Sequence, residues 1–67
     1  MSYIISAKVN QFTYYLKIRQ DKYLKFDLKI EGLKNNATVM TKALAESRVL
    51  LLEDQINWPL EILPYDQ

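Results

Sequence analysis

Phe12-Thr13-Tyr14-Tyr15-Leu16-Lys17-Ile18-Arg19 sets Phe12, Tyr14, Leu16 and Ile18 on one side of an extended chain and Thr13, Tyr15, Lys17 and Arg19 on the other. Alternation with period two marks a strand that buries one face and wets the other. The neighbouring stretches repeat it. Upstream, Tyr3, Ile5, Ala7 and Val9 oppose Ile4, Ser6 and Lys8; downstream, Leu24, Phe26, Leu28 and Ile30 oppose Tyr23, Lys25, Asp27 and Lys29. The breaks between runs, Asn10-Gln11 and Gln20-Asp21-Lys22, are short and polar. Connections of that length join only antiparallel neighbours, so the first half is expected to be a three-stranded antiparallel meander.

Beyond Gly32 the period changes. Leu33-Lys34-Asn35-Asn36 reads as a loop, with Asn36 or Thr38 as helix N-cap. From Ala37 to about Gln55 the residues Ala37, Val39, Met40, Ala43, Leu44, Leu50 and Leu51 fall in one arc at about 100° per residue, the arc expected to face the sheet. Such a helix would span roughly 27 Å, about the length of an eight-residue strand, and could close a two-layer core. Ile56, Trp58, Leu60 and Ile62 then alternate again, while Pro59 confines any strand here to an edge. A competing parse ends the helix near Ser47 and makes Arg48 to Leu52 a strand. The expected fold is α+β in the order β-β-β-α-β: a meander, one long helix on one face, and a C-terminal edge strand or extended tail, in one small domain over 1–67.

At 67 residues a chain buries roughly 60% of its unfolded surface, and a single core of that size is marginal without help. Cysteine and histidine are both absent, so neither disulfides, thiolate metal sites nor a histidine base can contribute, and no metal or cofactor is expected. A partner surface is the remaining ordinary source of stability. No apolar run reaches membrane-spanning length and the start MSYIISAKVN lacks the features of a secretory signal, so a soluble cytoplasmic protein is the expectation. The net charge is +1, but it is unevenly placed. Lys8, Lys17, Arg19, Lys22, Lys25, Lys29 and Lys34 outweigh Asp21, Asp27 and Glu31 in the first half, whereas Lys42 and Arg48 are outweighed by Glu46, Glu53, Asp54, Glu61 and Asp66 in the second.

The feature most suggestive of function is a second apolar stripe, Ala45, Val49, Leu52 and Ile56, at i, i+4, i+7 and i+11. It lies opposite the arc assigned to the sheet, and a helix on one sheet needs only one apolar side. Either the tail folds over it, with Trp58 or Leu60 on Leu52, or it is an interface for a second copy or for a larger protein. Arg48 and Glu53 would supply rim charges, and the stretch from Trp58 to Tyr65 is rich in interface-anchoring residues. The expected function is a non-enzymatic protein-binding regulator of adaptor or inhibitor type, intracellular or phage-like, that self-associates.

The alternative is nucleic-acid binding. Lys8, Thr13, Tyr15, Lys17, Arg19, Tyr23, Lys25 and Lys29 would interleave cations with aromatic rings on the outer sheet face, the chemistry that neutralises phosphates and stacks bases. Three strands followed by a helix ending in Ile56-Asn57-Trp58-Pro59 resembles, in outline, small integrase-arm and AP2-type DNA-binding domains, though the glycines and the tryptophan typical of their strands are missing. No catalytic residue is assigned. Glu53 and Asp54 adjoin but point about 100° apart on a helix, and Gly32, the only glycine, cannot make a phosphate loop.

Overall fold

The computed structural model describes residues 1–20 and 26–65. The fold is α+β: strands β1 (Tyr3–Val9), β2 (Phe12–Gln20) and β3 (Phe26–Glu31), a 3-10 turn (Lys34–Asn36), helix α1 (Lys42–Glu53) and strand β4 (Leu60–Pro64). The four strands form one antiparallel sheet in the order β3-β2-β1-β4, so the tail is an edge strand added beside β1. The start expected for the third strand, Tyr23-Leu24-Lys25, and the turn residues Asp21 and Lys22 lie outside the described residues. Asn10 closes the β1–β2 hairpin with φ of 59°, next to the Val9–Phe12 pair. Asparagine tolerates that left-handed conformation better than most residues, which is why a turn without glycine works here.

The helix side of the sheet carries the alternating set read from the sequence: Ile5, Ala7, Leu16 and Ile18 are buried, with Tyr3, Leu28, Leu60 and Ile62 packed at the margin. Phe12, assigned to the same phase, sits at the hairpin tip and is exposed. The opposite face is not wholly solvated. Ile4 and Ser6, expected to face water, are buried at 0% and 2% exposure. Alternation along β4 sets Leu63, opposite Ile4, and then Tyr65 on this side, where the Tyr65 hydroxyl donates to Asn35 Oδ1 at 3.1 Å. The Lys34 ammonium sits 5.7 Å from the centre of the same ring. The 3-10 turn and Tyr65 thus roof part of the rear face.

Between Asn36 and the helix, the chain performs a job the sequence reading missed. β1 and β2 pair from Val9–Phe12 as far as Ser6–Tyr15. Beyond that point the segment 38–40 bridges them. Thr38 N–H donates to Leu16 O at 3.1 Å, Ile18 N–H donates to Thr38 Oγ1 at 2.7 Å, and Thr38 Oγ1 donates to Ile18 O at 3.1 Å. On the other side Met40 and Tyr3 exchange backbone bonds of 2.8 and 2.9 Å. Backbone groups in a ladder cannot also serve a helix, so the helix expected from Ala37 begins at Lys42 instead. Its N-cap is Thr41, whose hydroxyl accepts from Leu44 N–H at 3.3 Å, and not Asn36 or Thr38. It ends at Glu53, capped by Asp54, well within the expected limit at Gln55. With 12 residues it is about 18 Å long rather than 27 Å. Residues Arg48 to Leu52 are helical, which sets aside the strand parse.

Candidate protein-binding face

Helix α1 packs on β1 and β4, and its phase is the reverse of the one expected. Ala45 and Leu52 are buried against the sheet, with Val49 and Ile56 partly buried beside them. The stripe read as an outward docking surface is therefore the helix's own core face, and Ala45, Val49, Leu52 and Ile56 are already covered by the sheet. Arg48, expected on a rim, is half-buried and has an interaction of its own. The physical reason is the late start of the helix. Ala37, Val39 and Met40 gave weight to the competing arc, but they lie before the N-cap Thr41 and outside the helix. Ala37 and Met40 are buried there without belonging to α1. Without them, the spacing i, i+4, i+7, i+11 is the better helical stripe, and Ala45 lets the helix approach the sheet closely.

The conclusion that α1 has apolar residues on two sides survives with the sides exchanged. Leu44, Leu50 and Leu51 are exposed at 42%, 69% and 54%, and Ala43 and Ser47 lie exposed among them. On a helical wheel these five positions share the half facing away from the sheet. Leu44 and Leu51 are seven residues apart, two turns on one line, with Ser47 between them. Glu46 and Glu53, both exposed, border this face beside Leu50 at spacings of four and three residues. The face is thus apolar in the middle, with Glu46 and Glu53 along one edge and Lys42 at the N-terminal end of that edge. No signal in composition or charge singled out Leu44, Leu50 and Leu51; the position of the N-cap would have done so.

Trp58, expected in the core or at an interface, is exposed at 40%. With Gln55, Ile56 and Asn57 it lines a shallow cleft of about 280 Å³ where the chain leaves the helix for β4. The tail does cover the stripe, as one of the two expectations had it: β4 pairs with β1 and packs against α1, and Leu60 and Ile62 lie against the core that holds Ala45 and Leu52.

The sheet's outer face brings Lys8, Tyr15, Lys17, Arg19 and Lys29 onto one phase, while Tyr23 and Lys25 lie outside the described residues. Register sets carboxylates among the cations. Arg19 lies opposite Asp27, Tyr15 opposite Glu31, and Ser6 opposite Glu61. Among the described strand residues of this face four cations meet three carboxylates, and Lys34 adds one cation at its margin over the Tyr65 ring, so the excess positive charge left for phosphate is small. Among the described residues there is also no cluster of acidic side chains able to hold a metal ion, and no helix long and apolar enough to cross a membrane. No family model, curated protein or solved structure matches the chain.

Proposed function

We propose that this protein is a non-enzymatic protein-binding module, of adaptor or inhibitor type, that offers the outward face of α1 to an apolar groove on a partner protein. The observation that carries the proposal is the exposure of Leu44, Leu50 and Leu51 on one side of a helix whose other side is already buried. Helices recognised in grooves present apolar anchors one or two turns apart, and here Leu44 and Leu51, and beside them Ala43 and Leu50, stand two turns apart on the outward face. A helix-to-helix pair of two copies would bury little more than these leucines, well short of the roughly 800 Å² per partner of a standard interface. A groove that wraps the helix uses them more fully. Glu46 and Glu53 call for cations on one rim of that groove, which would favour the correct orientation and speed encounter.

Photo-crosslinking from position 50 in cells tests the proposal, followed by binding of the identified adduct to purified protein. The expected result is one dominant adduct whose contact surface is an apolar groove with a cationic rim. Its affinity should fall at least tenfold in the pair Leu44→Glu and Leu51→Glu while circular dichroism stays unchanged. Binding that is indifferent to that pair, or crosslinks no richer at position 50 than at Lys8, would overturn it.

A further inference from the structure

The two edges of the sheet are not equivalent, and the difference points to a second surface, separate from α1. On β4 the N–H of Tyr65 donates to Ser2 O and that of Lys8 to Pro59 O, so odd-numbered β4 residues bond inward to β1. Leu60, Ile62 and Pro64 therefore turn their backbone groups outward, and Pro64 has no N–H to offer. On β2, Leu16 and Ile18 bond toward Thr38 on the β1 side, so the odd residues Tyr15, Lys17 and Arg19 bond to Glu31, Lys29 and Asp27 of β3. Phe26, Leu28 and Ile30 are left pointing their N–H and C=O groups outward, without a proline or glycine. No strand among the described residues lies beyond them.

We infer that β3 pairs antiparallel with β3 of a second copy, about a two-fold axis through Leu28. In that register Leu28 meets its own counterpart, and Phe26 meets Ile30 of the other copy through the outward-pointing backbone groups. Asp27 lies opposite Lys29 on the outer face, twice by symmetry. An isologous interface must be complementary to itself, and of the registers that preserve the hydrogen-bond phase this one pairs opposite charges over the longer stretch. Centring on Ile30 would also set opposite charges together, Lys29 against Glu31, but it brings only residues 29–31 of the strand into register, whereas centring on Leu28 pairs 26–30. The two sheets become one of eight strands. Because the axis runs perpendicular to the sheet, both α1 helices lie on the same side of it, with their outward leucines free. Opposite charges on an edge strand also keep monomers soluble, and the test separates the two roles.

Sedimentation equilibrium at concentrations up to about 500 µM suits an edge pair smaller than a standard interface. The wild type should dimerise. Asp27→Lys and Lys29→Asp alone should each weaken the dimer at least tenfold, because each sets like charges opposite each other. Mixing these two single variants should restore dimers as heterodimers, and the double variant should dimerise like wild type. Loss of fold cannot produce that rescue. A wild type that stays monomeric, or a dimer indifferent to either single variant, overturns the inference. Leu44→Glu with Leu51→Glu should leave this dimer intact, so failure here and failure of the groove reading are told apart.

Discussion

Replacing Thr38 by valine keeps the side chain's shape and its preference for extended backbone while deleting one hydroxyl. That hydroxyl accepts from Ile18 N–H at 2.7 Å and donates to Ile18 O at 3.1 Å, at a residue only 8% exposed. Both backbone groups would lose their partner where the sheet is split, because Tyr3 of β1, which the register would set opposite Ile18, has its N–H and C=O committed to Met40. An unsatisfied buried backbone group costs about 1–3 kcal/mol, and the part-buried setting and the spare lone pairs of the carbonyl favour a total near ~2 kcal/mol. A chain of this length is expected to have about 3–10 kcal/mol of stability in all, so the loss is a large share. In urea, with a slope of about 1 kcal/mol/M, the unfolding midpoint should fall by roughly 2 M. The melting temperature should fall by about 8–16 °C. Thr38→Ser, which retains the hydroxyl, should recover most of the difference. Hydrogen exchange at the Ile18 amide should speed up in the valine variant ahead of the amides of β4. A midpoint shift under about 0.3 M with Ile18 still protected would refute the idea that Thr38 holds β2 in place.

Thr41→Ala removes the N-cap bond to Leu44 N–H and should cost about 1 kcal/mol, read as a smaller drop in the urea midpoint than that of Thr38→Val. Leu52→Ala, on the core side of α1, should destabilise by about 2–5 kcal/mol. Leu50→Ala, on the exposed side, should change stability by less than about 0.5 kcal/mol; equal effects in thermal melts would mean the helix phase is wrong. Tyr65→Phe deletes the exposed bond to Asn35 and should cost no more than about 1 kcal/mol, seen as faster exchange at Asn36 and Ala37, whose amides close the 3-10 turn, with little change in the global midpoint.

Much of this architecture was legible without coordinates, because strand alternation is a local property. Each side chain of β1, β2 and the described part of β3 points to one face or the other by backbone geometry alone, and short polar breaks leave only antiparallel neighbours. The edge character of the tail was legible for the same reason: a proline cannot complete an interior ladder, and Pro59 and Pro64 both border or end β4. What could not be read locally was where the helix begins. Thr38 and Met40 have ordinary helical neighbours in the chain. They are held extended by backbone partners on Leu16, Ile18 and Tyr3, at least 20 residues away in sequence. That competition between ladder and helix set the N-cap at Thr41, and with it the rotation of α1. It decided that Ala45 and Leu52 fill the core while Leu44, Leu50 and Leu51 meet solvent. The sequence determined on its own that the helix has two apolar sides. Only the tertiary structure chose between them, because both stripes are nearly equal in hydrophobicity and the choice rests on contacts made before the helix starts.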